Sequence, residues 1–437
     1  MVKINTVVKV ILLIIIVSSE LLGQHAQTLY SENEHADMLP EMSKRGEHTV
    51  GVKTLTVIDD DYQDPFTDAV TPRSLTVEIW YPSNRAKVAD AVYANQTRNG
   101  IPFEIRGDAI RDAQAKVLED VSLVVLSHGY TGYRTIMYYI GEHLASHGYL
   151  VVSIDHTDST NEDVNPKINP FSGFKSTLIN RSRDQQFILD YFSNPSIVDE
   201  IFGNPVSIKN AGVIGYSMGG YGAINTIGGC YDFNDEFVMR MIFSNDQDKI
   251  KAAQSVFNTC AAGQSREDFV VDPRWQAMVA FAPWGGEAGV FPNQYLNDIK
   301  VPSLYISGDQ DDVSGYASIK NHFEQSVSTD SYLLTFNNAR HNIAPHPAPR
   351  EAWESEYDFG HYYEPAWSTQ QLNRINQHFT LVMMNCYLQG DDSACEYLDL
   401  SPSSDQPKKD GALSEVWKGF DHRYATGMRW DMSKPER

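Results

Sequence analysis

Residues 211–226 read AGVIGYSMGGYGAINT. A short apolar run stops at Gly215, Ser217 follows, and small residues lead on into a segment of helical character. The order is that of a strand, a sharp turn and a helix, with the serine on the strained turn. Gly215 and Gly219 flank it because a side chain at either place collides with the neighbouring strand or helix. The turn holds the Ser217 hydroxyl clear of the backbone. Chance supplies a G-x-S-x-G in about one chain in ten of this length at ordinary Gly and Ser usage. The weight therefore rests on the partners that such a serine needs.

Upstream, residues 121–126 and 149–154 are continuous apolar runs, and between them Ile136, Ile140 and Leu144 recur at helical spacing. Strands apolar on both faces and joined through a helix mark a parallel sheet. Gly148 closes that helix. Further strands buried on both faces are expected at 211–214, 278–281, 303–307 and 332–336, with helical patterns between them. Nearer the N-terminus, strands are expected at 50–57 and 75–81; in the second, Leu75, Val77, Ile79 and Tyr81 alternate with Thr76, Glu78 and Trp80, and Pro82 and Ser83 end it. The whole predicts an α/β fold with a mostly parallel central sheet and helices on both faces. Three stretches interrupt this pattern. Residues 157–178 follow a strand's C-terminal end, where α/β folds place ligand sites, and are expected to line or cover a pocket. Residues 228–272 carry a helical pattern from Phe237 to Phe257, and 401–410 read as a linker to a terminal segment, Trp417 to Trp430.

A serine hydroxyl becomes a good nucleophile when an imidazole takes its proton and a carboxylate fixes that imidazole's tautomer. The run VPSLYISGDQDDV, 301–313, ends a strand at Gly308 with three acids beyond it. Asp311 is the candidate, three residues past the glycine; Asp309 and Asp312 are fallbacks, and a calcium loop is a further reading of the same acids. The run SYLLTFNNARHNI, 331–343, places His341 in the loop after the last strand, with His346 and His361 as alternatives. The chain order Ser, Asp, His is the one expected of α/β-hydrolases. Backbone N–H groups for a developing oxyanion are expected from Met218, after the serine, and from Tyr130 in the loop 127–131. His128 in that loop reads equally as structural.

The chain has 437 residues, 57 acidic against 35 basic, a formal charge of −22 and 42% hydrophobic residues. Such a surface repels nucleic acid and anionic membranes. Lys3, Lys9, the apolar run 10–17 and the polar stretch after Gly23 have the layout of a secretory signal peptide, with cleavage after Gly23 or Ala26. The run is shorter than the roughly 18 residues a membrane-spanning helix requires. The resulting division is a signal peptide at 1–23, an extended leader at 24–45, the α/β domain at 46–400, and a linker with a packed C-terminal segment at 401–437. In an exported chain the four cysteines form disulfides, with Cys230–Cys260 and Cys386–Cys395 favoured and free buried thiols the alternative. Their spacing does not suit a metal.

The stretch 123–160, with EIWYP upstream and GYSMGG downstream, resembles the platelet-activating factor acetylhydrolases and dienelactone-hydrolase-like esterases. GYT, LASHGY, GYSMGG, FAPW and the acid loop also resemble bacterial cutinases and polyester hydrolases. The resemblance spans about residues 75–341. It implies an α/β-hydrolase fold, a Ser217, Asp311, His341 triad, and Tyr130 and Met218 as oxyanion donors, with neither metal nor organic cofactor. By similarity to cutinases, Trp284 and the Tyr130 side chain flank the substrate's acyl group. The expectation is an exported serine carboxylester hydrolase acting on short-acyl or lipid-like esters. A polyester hydrolase is the alternative within the class, and a non-catalytic binding protein on the same fold the alternative outside it. Dienelactone hydrolases proper use a cysteine nucleophile where this chain has Ser217. Relative to cutinases, 157–178 and 228–272 are insertions expected to reshape the groove.

Overall fold

The computed structural model describes residues 26–30, 39–84, 88–116, 120–165, 167–203, 207–405, 417–420 and 425–435. The signal-peptide expectation at 1–23 lies outside them. The strands are β1 (Thr49–Asp59), β2 (Arg73–Ser83), β3 (Val92–Gln96), β4 (Pro102–Arg106), β5 (Ile110–Arg111) and β6 (Asp120–Ser127). They continue with β7 (Leu150–Asp155), β8 (Ser207–Tyr216), β9 (Trp275–Phe281), β10 (Ser303–Gly308), β11 (Ser331–Phe336) and β12 (Met428–Ser433). Ten of them form one sheet in the order β12-β11-β10-β9-β8-β6-β7-β2-β1-β5. The run from β7 to β11 is parallel throughout, and antiparallel pairs flank it on both sides.

The parallel strands are buried over most of their length because helices cover both faces. Helices Phe174–Phe192 and Met218–Thr226 pack on each other and on β6 and β8, while Tyr138–Ser146 and Thr369–Leu388 form the opposite layer. Gly141 lets the helix Tyr138–Ser146 lie on β2, since a Cβ there would sit 2.4 Å from the Trp80 ring.

Several boundaries differ from the sequence expectation. β2 runs through Pro82 and Ser83 rather than stopping before them, because β1 stays paired to the end, Val50 opposite Pro82 and Thr49 opposite Ser83. The helical pattern of Phe237 to Phe257 is two helices, Asp235–Ile242 and Gln247–Phe257, broken where Phe243 takes φ 52°. Residues 88–111, for which no element was expected, form the two-stranded β3–β4 hairpin and β5. Part of the leader is tied down: Gln27 hydrogen-bonds the backbone of Glu104 and Arg106 in β4, and Glu41–Ser43 form a short 3-10 turn. β12 closes the sheet edge against β11, burying Met428 and Trp430. Cys230 pairs with Cys260 and Cys386 with Cys395.

Candidate active site

β8 delivers its last residue, Tyr216, to the middle of the sheet's C-terminal edge, and Ser217 follows at φ 52°, ψ −112° before the helix Met218–Thr226 begins. That backbone is unfavourable for a side-chain-bearing residue. It is held by Ser217 N–H donating to Phe281 O (2.8 Å) and by Trp284 N–H donating to Ser217 O (3.1 Å). The glycines permit the approach: a Cβ on Gly219 would lie 1.9 Å from the Ser127 carbonyl oxygen, and one on Gly215 would lie 2.2 Å from the Gly219 backbone.

Loops after β10 and β11 bring the acid and the imidazole to the same edge. His341 Nε2 lies 3.1 Å from Ser217 Oγ, and its Nδ1 lies 3.1 Å from each carboxylate oxygen of Asp311. Asp311 also accepts from the N–H groups of Val313 (2.9 Å) and Ser314 (2.8 Å). Burial alone pushes its carboxyl up, but the His341 contact and these two amides outweigh it and hold the group below the usual carboxylate range. The fallback acids are engaged elsewhere, Asp309 with Asn338 N–H and Arg429, and Asp312 with Arg340. His346 is buried against the Tyr133 hydroxyl and Pro347 O, whereas His361 reaches the cleft wall.

Glu364 gave no signal in the sequence. It is buried, and its two oxygens accept from Arg340 N–H and Asn342 N–H, each at 2.7 Å, so that one carboxylate clasps the backbone on both sides of His341.

The cleft above Ser217 has a volume of about 930 Å³. Gly129, Tyr130 and Met218 stand at its floor beside the serine. Among the described residues Tyr130 N–H donates to no other group, and Met218 begins its helix, where N–H groups lack intrahelical partners. Trp284 and Tyr130 do not face each other directly: Phe174 stands between them, edge-on to each at ring separations of 5.5 and 5.4 Å. Phe171 extends this aromatic wall. The 157–178 stretch thus lines the cleft as expected. The 228–272 stretch supplies no lining residue and touches the wall only from behind, through Phe237 against Trp284. The opposite rim comes from Arg98 and from residues 340–365.

Beneath the 127–131 loop lies a second, fully buried network. Ser127 Oγ is 2.8 Å from His156 Nε2, and His156 Nδ1 is 2.9 Å from Asp184, which Arg73 also grips. Arg181 donates to His128 O (2.9 Å), and Thr131 N–H donates to Ser159 O. Burial holds His156 down to about 3, so the neutral ring donates to Asp184 and accepts from Ser127. His128 accepts from His156 N–H and lies within this network, which makes it a structural residue.

Among the described residues no group of His, Cys, Asp and Glu is arranged to hold a metal, and no helix is long and apolar enough to cross a membrane.

Two family models match the chain: platelet-activating factor acetylhydrolase, isoform II, over residues 43–163, and PET hydrolase-like over 113–228. Cutinase est1 of Thermobifida alba is 25% identical over 220 residues, 50% of this chain and 52% of that protein. A bis(hydroxyethyl) terephthalate hydrolase of Streptomyces coelicolor is also 25% identical over 220 residues, 50% of this chain and 49% of that protein. The chain thus spans about half the length of these relatives. A ferulic acid esterase structure from Streptomyces cinnamoneus superposes with a TM-score of 0.53 at 18% identity, covering 88% of this chain and 97% of that one. The chain has the α/β-hydrolase fold and resembles the platelet-activating factor acetylhydrolases and the cutinase-type hydrolases.

Proposed function

We propose that the protein is a carboxylic ester hydrolase working through Ser217, His341 and Asp311. The observation that carries this reading is the unbroken line of contacts from Ser217 Oγ through His341 to Asp311, each 3.1 Å, at the floor of an open cleft. Ser217 Oγ attacks the ester carbonyl carbon while His341 Nε2 takes its proton. The Tyr130 and Met218 amides hold the oxyanion. Collapse of the tetrahedral adduct expels the alcohol, which leaves with the proton from His341. Water then attacks the acyl-enzyme with His341 again as base, and Asp311 keeps the Nδ1 proton in place throughout.

Short-acyl or lipid-like esters are the leading substrates, in line with the acetylhydrolase resemblance. A polyester is the second reading, supported by the cutinase-type relatives and by the aromatic wall, whose Phe171 is 66% exposed at the rim. Two disulfides and the signal-like N-terminus support export.

The test is hydrolysis of para-nitrophenyl acetate and longer acyl esters. Ser217→Ala is expected to lower kcat by roughly 10⁶-fold and Asp311→Asn by roughly 10⁴-fold, while Asp309→Asn leaves it within a few fold. Equal turnover by wild type and Ser217→Ala rules out the serine mechanism. No turnover of any ester by the wild type would instead favour a binding protein on this fold.

A further inference from the structure

The cleft contains an arginine that has no carboxylate partner among the described residues. Arg98 sits at the tip of the β3–β4 hairpin, in a turn closed by Gly100 N–H donating to Thr97 O (2.8 Å). Its neighbour Asn99 pins that tip to the far rim: Asn99 N–H donates to Asp358 Oδ1 (2.9 Å), and its side-chain amide donates to Asp358 Oδ2 (2.7 Å) and Ser355 Oγ (3.0 Å). Asp358 is thereby consumed by the pin and makes no ion pair with Arg98. The guanidinium lies over the Tyr357 ring, 5.6 Å from its centroid, and lines the cleft that opens on Ser217. Among the described residues it makes no ion pair and donates no hydrogen bond, and its Nε is buried without a partner.

Two further observations show that this is a built site. The chain carries 57 acidic side chains against 35 basic, so an arginine left without a carboxylate is held away from partners that are plentiful. The other cleft arginine, Arg340, has taken Asp312. Second, His361 stands on the same wall, only 4% exposed, and its ring makes no hydrogen bond among the described residues. Burial, with Arg98 next, holds its imidazole well below the ordinary range, so it is neutral and offers one N–H. A guanidinium fork and an imidazole N–H facing one space, with an aromatic ring beneath, suit a flat or tetrahedral oxyanion. Glu356, exposed on the rim, narrows the choice of ligand to one that brings its charge into the cleft rather than across its mouth.

We infer that Arg98 and His361 form a subsite for an oxyanion, carboxylate or phosphate, carried by the ester substrate itself. The inference rests on the hydrolase reading above and sharpens its substrate class: esters with a second, ionised group are preferred over neutral ones of equal length. Arg98 is then a specificity determinant, remote from the reacting bond.

The experiment compares phenyl butyrate with para-butyryloxybenzoate and para-butyryloxyphenyl phosphate, which carry the charge on the alcohol side. Para-nitrophenyl hexanoate against the para-nitrophenyl half-ester of adipic acid places it on the acyl side. The wild type is expected to favour at least one charged ester over its neutral partner by about tenfold or more in kcat/KM, and the favoured member tells carboxylate from phosphate and acyl from alcohol side. Arg98→Gln is expected to remove that preference and Arg98→Lys to restore part of it. The same esters are titrated calorimetrically into Ser217→Ala, with and without Arg98→Gln, so that binding is read without turnover. A wild type that shows no charged-ester preference in either readout overturns the inference, whatever the variants do. So does a preference that survives in Arg98→Gln. Charged-ester binding that depends on Arg98 in a protein that hydrolyses nothing would sustain the subsite and overturn the hydrolase reading instead.

Discussion

Ser127, His156 and Asp184 are joined by contacts of 2.8 and 2.9 Å, as short as those joining Ser217, His341 and Asp311. Residue types and distances therefore do not by themselves single out a nucleophile in this chain. What separates the two serines is backbone and access: Ser217 is raised on a positive-φ turn into a cleft, while Ser127 is wholly buried under the loop it supports. The sequence pointed to Ser217 because the glycines that make room for the turn are visible in it. Asp311 and His341 were legible because each follows a strand whose end is marked, by Gly308 and by Asn337-Asn338. Glu364 was not legible, since it lies in an irregular segment and acts on the backbone beside His341 rather than on its ring. It is a positioning residue. Glutamine at 364 has one acceptor oxygen for two amide donors and sets its own NH₂ against the other. Glu364→Gln is expected to lower kcat on the order of 10- to 100-fold through displacement of His341, with KM little changed. Steady-state kinetics on one ester checks this, and an unchanged kcat overturns the role.

Elements buried on both faces left the strongest mark on the sequence, which is why every central strand was found, though β8 and β9 begin four and three residues earlier than expected, while the cleft rims were not found. The β3–β4 hairpin has strands of five residues, half-buried and polar on one side, so its alternation is too short to stand out. The rim from Asn342 to Pro365 consists of turns and one-turn helices whose position is set by tertiary contacts such as Asn99 with Asp358. Of the two insertions, 157–178 reaches the cleft and 228–272 does not, a difference that depends on where each segment packs and that composition does not encode. The second insertion is closed by Cys230–Cys260, 30 residues apart. Replacing both cysteines by alanine is expected to lower stability by roughly 3–4 kcal/mol on the loop-entropy estimate. The nine-residue loop closed by Cys386–Cys395 should be worth less, roughly 2–3 kcal/mol. Because neither segment lines the cleft, ester turnover at low temperature should persist in both double variants. Denaturant titration beside an activity assay measures this, and loss of activity without loss of stability would show that the 228–272 segment governs the cleft from behind.

Across the whole molecule, a large interior has drawn in an unusual number of imidazoles. His128, His143, His156, His322, His346, His361 and His378 are all buried, and burial lowers every one of them from the ordinary value, His322 and His346 to about 4, and His156 and His378 to about 3. Between an ordinary histidine's value of about 6.5 and these folded values, the unfolded chain binds protons that the folded chain refuses. Stability from these groups is therefore complete above about pH 6.5 and drains away as the pH falls. Three buried acids work the other way, since burial raises Glu142 to about 7 and also raises Asp155 and Glu364; the folded state then holds protons that the unfolded chain has lost. Seven imidazoles outweigh three carboxyls, each group having a slope of at most about 1.4 kcal/mol per pH unit. Asp184 and Asp311, both lowered, add to the loss only in more acid solution. Urea midpoints taken at about pH 7.5, 6 and 5 are expected to fall progressively, with most of the drop below about pH 6.5. Replacing His322, whose two ring nitrogens have no partner among the described residues, by an apolar residue of similar size should flatten that curve by the share of one group. A midpoint independent of pH across this range would mean that the buried rings take up protons in the folded protein as readily as in the unfolded one, and the lowered value assigned to His361 beside Arg98 would fail with them.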